Sequence, residues 1–97
     1  MAPGYVIAQI HVTDAAAYPA YVAMVRPIVE RFGGEFLVRG GRNESYEGTP
    51  AGDRHVVIRF PSYQAAQDWY HSEDYAGAKA LRMSASSSVQ TIVEGVS

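Results

Sequence analysis

The hydrophobic pattern changes period along this chain in a set order, from two to about 3.6 and back, and few folds accommodate that order. Tyr5 to Val12 reads YVIAQIHV, rich in β-branched and aromatic residues, and is a predicted strand. Alternation puts Val6, Ala8, Ile10 and Val12 on one face, the core side, and Tyr5, Ile7, Gln9 and His11 on the other. Asp14 stands where a helix N-cap belongs. Tyr18, Tyr21, Val22, Val25, Ile28, Val29 and Phe32 then recur at three- and four-residue spacing, which predicts an amphipathic helix laid on one side of a sheet. Pro27 removes a mid-helix hydrogen bond and is expected to kink that helix or split off its last turn, with Gly33-Gly34 as the exit.

Glu35 to Gly41, EFLVRGG, is the second predicted strand, with Phe36 and Val38 opposite Leu37 and Arg39 and a bend or bulge at Gly40-Gly41. A short extension through Tyr46 and Glu47 leads into the polar turn Gly48-Thr49-Pro50-Ala51-Gly52. His55 to Phe60, HVVIRF, is the third strand, with Val56, Ile58 and Phe60 on one face and His55, Val57 and Arg59 on the other. Ser62 is placed to cap a second helix running from Tyr63 towards His71, and Ser72 to cap a further one behind Glu73 and Asp74. That helix is expected to fade into the low-complexity connection Ser84 to Ser88, before a last strand from Val89 to Val93.

The order β-α-β-β-α-β describes a split β-α-β sandwich of the α+β class: a four-stranded antiparallel sheet with its helices on one face, forming a single domain over residues 1–97. The other face carries Tyr5, Ile7, Leu37 and Val57 among polar groups. Two sheets packed face to face would cover it, so a homodimer is expected.

The charge balance of -2, with arginines scattered singly, predicts no nucleic-acid partner. No apolar run approaches the ~18 residues that span a bilayer, and MAPGYVIAQI lacks the basic start and long apolar core of a secretion signal; the expected location is cytoplasmic, with no membrane partner. Without cysteine there is no thiolate nucleophile or thiolate metal site. The glycine pairs do not form a G-x-G-x-x-G or P-loop pattern, and there is no H-E-x-x-H, so no cofactor or metal is expected.

Chemistry is expected from the polar part of the open face. His55 or His11 is the candidate base, because histidine exchanges a proton near neutral pH. Arg39, Arg59, Gln9 and Tyr46 are the candidate substrate-binding residues, an arginine there steadying a carboxylate or developing oxyanion. Glu94 joins them if the last strand keeps phase, with Gln90 and Ile92 on its side.

The segments GGEFLVRGG (Gly33 to Gly41), VVIRFPS (Val56 to Ser62), AAQDWYHSEDY (Ala65 to Tyr75) and VEG (Val93 to Gly95), with the opening YVIAQIHVTDAAAY, resemble the small bacterial family called domain of unknown function 1330. The resemblance covers nearly the whole chain in the expected order. It implies a ferredoxin-like subunit of the dimeric α+β barrel group, whose subunits pair their sheets. Arg59 departs from the family's frequent glutamate before the proline, and Glu73-Asp74-Tyr75 replaces its usual Pro-Glu-Tyr. The wider group holds oxygenases, isomerases, heme-dependent enzymes and non-catalytic members, so it implies a fold and not a reaction. Two functions follow as expectations. One is a small-molecule-binding protein or cofactor-independent enzyme, moving a proton or adding oxygen on a small organic acid or phenol. The alternative is a non-catalytic structural or regulatory homodimer.

Overall fold

Alternation in the first strand is realised in full in the computed structural model, which describes residues 2–97. β1 (Gly4–Val12) buries Val6, Ala8 and Ile10 and turns Ile7 and His11 outward. α1 (Tyr18–Arg31) follows, burying Tyr18, Tyr21, Val25, Ile28 and Val29 along one stripe. Asp14 does not cap α1 directly. Its Oδ1 accepts from the Ala16 and Ala17 amides at 3.1 Å and closes the turn that feeds the helix. Nor does Pro27 split α1, which runs through it as one element. Both Pro27 and Ala23, whose carbonyl loses its donor, are exposed, so water can serve that carbonyl.

β2 (Glu35–Arg39) and β3 (Arg54–Phe60) are joined by fourteen residues that form no strand, so the extension expected around Tyr46 is absent. Ser62 Oγ accepts from the Ala65 amide to cap α2 (Tyr63–His71), and Ser72 Oγ accepts from the Tyr75 amide to cap α3 (Glu73–Ala85), as the two serines predict. β4 (Ser86–Glu94) starts three residues before Val89 and takes in part of the expected connection.

The sheet order is β2-β3-β1-β4, every neighbour antiparallel, with the three helices over one face. This is the ferredoxin-like β-α-β-β-α-β sandwich. The barrel implied by the family resemblance is not formed. Closure would require β2 to pair with β4, and the strand order leaves them as the two opposite edges of an open sheet.

Two strands depart from their expected phase. A bulge between Phe36 and Val38 lets Val38 pair with Val57 and Arg39 with Val56, so Phe36 and Arg39 share the helix side and Val38 faces outward. In β4, Gln90 pairs with Ala8, Ile92 with Val6 and Glu94 with Gly4. Those three are therefore on the helix side, and Val89, Thr91 and Val93 are on the open side, which removes Glu94 from the open-face set.

Phe60, Trp69 and Tyr75 centre the core, each no more than 1% exposed. Trp69 lies 4.2 Å from the Tyr75 ring and 5.4 Å from the Phe60 ring, centroid to centroid. Burial of each such side chain stabilises by roughly 1.5–3 kcal/mol.

Candidate functional site

The candidate residues divide between the two faces of the sheet. On the open face Gln9 lies across from His55, Tyr5 across from Arg59, and His11 across from Ser87. Gln9 Oε1 accepts from the Ala51 amide at 3.0 Å and so ties down the β2–β3 loop. Arg59 Nη1 stands 3.7 Å from Glu35 Oε1, an exposed pair that contributes at most about 1 kcal/mol. His11 is exposed at the end of its strand, and Tyr46 is 87% exposed in the loop. This face thus groups Gln9, His55 and His11, sets Arg59 at the far end of β3 with Glu35, and excludes Arg39.

Arg39 enters the layer between the sheet and the helices. Its Nη2 donates to the Val22 carbonyl at 2.6 Å, and its guanidinium lies 4.3 Å over the Phe36 ring. Burial, then the charges of Arg54 and Arg26, hold its pKa below the ordinary arginine value. It borders a cavity of about 20 Å³, room for one water-sized group, shared with Arg54, Gln90, Tyr18, Tyr21 and Trp69. Two buried donors here have no acceptor, Arg54 Nε and Trp69 Nε1.

A buried polar chain runs behind this cavity. The Tyr21 and Tyr75 hydroxyls are 2.9 Å apart, Arg82 Nε donates to the Tyr75 hydroxyl at 3.2 Å, and Arg82 Nη1 donates to Ser88 Oγ at 2.8 Å. With its amide oxygen turned to the guanidinium, Gln90 accepts from Arg82 Nη1 at 2.8 Å and Nε at 3.2 Å. Burial, reinforced by Tyr75, raises the Tyr21 pKa well above the ordinary 10.0, so its hydroxyl stays protonated. Burial acts to lower the Arg82 pKa, but the hydroxyls of Tyr75, Tyr21 and Tyr70 outweigh it and the net shift is upward. Arg82 is 3% exposed. The ion pairs of the described residues join Arg26 to Glu30, Arg31 to Asp74 and Arg59 to Glu35, so Arg39, Arg54 and Arg82 have no carboxylate partner.

Open clefts flank the cavity on both sides. Between α2 and β4 a cleft of about 260 Å³ is lined by Val6, Gln67, Tyr70, His71, Gln90 and Ile92. Between α1 and β2 a groove of about 400 Å³ is lined by Arg26, Glu30, Glu35, Phe36 and Arg39. Gln90 borders both the cavity and the first cleft, and Arg39 both the cavity and the second. His71 is the histidine at a cleft, whereas His11 and His55 face the other way. Among the described residues no three His, Asp or Glu side chains gather to hold a metal ion, and no helix is long and apolar enough to cross a membrane.

The residues missed in the sequence carry a legible signal. Tyr75, Ala78, Arg82 and Ala85 fall on one helical stripe, which puts an arginine among buried positions. Arg54 stands in phase with Val56, Ile58 and Phe60 on the buried side of β3.

Residues 3–96 match the family model described as domain of unknown function (DUF1330). A crystal structure of a protein of unknown function from Rhodopseudomonas palustris is similar, with TM-score 0.79 and 20% identity over 99% of this chain and 84% of that one. Its methylated form gives TM-score 0.78 and 21% identity, over 99% and 82%. An antibiotic biosynthesis monooxygenase is more distant, at TM-score 0.56 and 16% identity over 97% of each chain. These likenesses show a shared fold. No curated protein matches.

Proposed function

The chain belongs to the domain of unknown function 1330 family, and within that fold we propose that it binds a small organic acid or phenol in the cleft between α2 and β4. The observation that carries this reading is Gln90 on the cleft wall with the buried, carboxylate-free Arg82 behind it. A fixed cation in a low-dielectric layer favours the ionised form of a nearby acid or phenol. Gln90, held by Arg82 through its oxygen, presents its amide N–H₂ to such an oxyanion. Tyr70 and Ile92 supply apolar wall, and His71 can take up the proton released.

This arrangement suits cofactor-independent chemistry, either proton transfer or reaction of a bound phenolate or enolate with molecular oxygen, which as co-substrate serves as both oxidant and oxygen source. The distant monooxygenase likeness is in keeping with the second. A cytoplasmic setting fits a thiol-free chain acting on a small metabolite. The test is native mass spectrometry of the protein purified gently from its own cells, beside its Gln90→Leu variant. A small acid or phenol carried by the wild type and absent from the variant is the expected result. A bound molecule retained equally by both would refute the cleft.

A second reading concerns the open face, where Val38, Val57 and Ile7 form a continuous row with Val89 and Val93 alongside. Five of the outward apolar residues of this sheet (Ile7, Leu37, Val38, Val89 and Val93) are each at least 40% exposed. A second copy of the chain laid on this row would cover them and enclose His11, His55 and Gln9 between two sheets. In that homodimer the open-face histidines belong to the pairing surface.

A further inference from the structure

The geometry points to a second site, one for a small oxyanion, between Arg39 and Arg54 at the end of the interlayer opposite the α2–β4 cleft. Arg39 pairs with Val56, and Arg54 is two residues from Val56 on the same strand, so the two arginines are diagonal neighbours on the helix side. Neither has a carboxylate partner among the described residues. Two cations placed together without an acid repel each other, and an anion between them removes that cost. Arg54 Nε is fully buried with no acceptor, and both residues border the cavity of about 20 Å³, which has room for one oxygen atom.

The local backbone is shaped for this pair. Gly40 has φ +70°, which a side chain rarely tolerates, and a Cβ there would overlap Arg54 Nη1. The Arg54 guanidinium also lies 5.5 Å over the Tyr18 ring, and Arg39 is steadied by Phe36 and the Val22 carbonyl. Both forks are therefore held before any anion arrives, which lowers the entropy lost on binding. Entry is from the α1–β2 groove, which Arg39 borders. The acids on that groove do not compete for the pair: Glu30 is 3.4 Å from Arg26 and Glu35 is 3.7 Å from Arg59. One oxygen of the anion reaches Arg54 while the rest of the molecule lies past Arg39 in the groove.

Acetate and inorganic phosphate, titrated at constant ionic strength with chloride as counter-ion, distinguish the two oxyanion chemistries. The arginine side-chain Nε–H signals in ¹⁵N NMR are the readout. Saturable shifts of Arg54 and Arg39 are expected with at least one probe, while Arg59, on the open face, stays still. Response to acetate alone identifies a carboxylate ligand, and response to phosphate alone a phosphate ligand. Arg54→Lys, which keeps the charge and loses the fork, is expected to weaken binding at least tenfold. If Arg54 and Arg39 respond to neither probe, or no more than Arg59 does, the site is overturned. That result would leave the α2–β4 cleft untouched, because the two share no arginine.

Discussion

Replacement of Ile7 by aspartate perturbs the open face at its centre, because Ile7 pairs with Val57 on one side and Thr91 on the other. Ile7, Leu37, Val38, Val89 and Val93 are between 40% and 55% exposed. Together they offer about 400 Å² of apolar surface per copy, so that pairing two copies contributes about 20 kcal/mol at 25 cal/mol per Å². Association costs roughly 4–15 kcal/mol, and a mid-range cost of about 10 kcal/mol leaves about 10 kcal/mol, a dissociation constant of about 50 nM. Ile7→Asp removes about 80 Å² of apolar burial from each copy, about 4 kcal/mol per dimer, or roughly a thousandfold in affinity. The carboxylates trapped at the interface weaken it further. Sedimentation velocity over a concentration series should show a dimer for the wild type and a folded monomer for Ile7→Asp. A wild-type chain that stays monomeric at about 100 µM, or a variant that pairs as tightly as the wild type, would refute this reasoning.

Three further outcomes are expected. Arg82→Met should cut benzoate affinity at least tenfold in a calorimetric titration while shifting Tm by only a few degrees, since loss of an unpaired buried charge offsets its lost hydrogen bonds. Tyr21 has a folded pKa raised above its unfolded value near 10.0, so its contribution is complete below pH 10 and falls by about 1.4 kcal/mol per pH unit above it. Tyr21→Phe should flatten that alkaline decline in urea-unfolding curves and cost about 1 kcal/mol at neutral pH through the lost Tyr75 bond. Gly52→Ala puts a Cβ into the Ile10 backbone, and should lower stability by about 1–3 kcal/mol and remove hydrogen-exchange protection at Ala51, whose amide Gln9 holds.

Elements whose phase is set by strict alternation were legible in the chain: β1 through Val6, Ala8 and Ile10, and β3 through Val56, Ile58 and Phe60. The serine caps of α2 and α3 were legible for the same local reason, since a cap acts within three residues. Arg39 was not, because the bulge that moves it lies upstream of the glycine pair that marks a bend, and one inserted residue reverses every later side chain. Gln90 and Ile92 were misplaced because SSSVQTIVE carries apolar groups on both faces of an edge strand, so its phase is set by pairing with β1. The site followed the phases. His55 and Gln9 fell on the open face as expected, whereas the helix-side groups, Arg54, Arg82 and Gln90, acquire meaning only when the layers meet.

The most direct test is a ¹H–¹⁵N NMR titration of the wild-type protein with benzoate and with phenol. Saturable shifts are expected at Gln67, Tyr70, His71 and Gln90 and at the indole N–H of Trp69, the single tryptophan, which borders the adjoining cavity. Shifts confined to Gln9, His11 and His55, with the α2–β4 cleft silent, would contradict a site between the helices and the sheet.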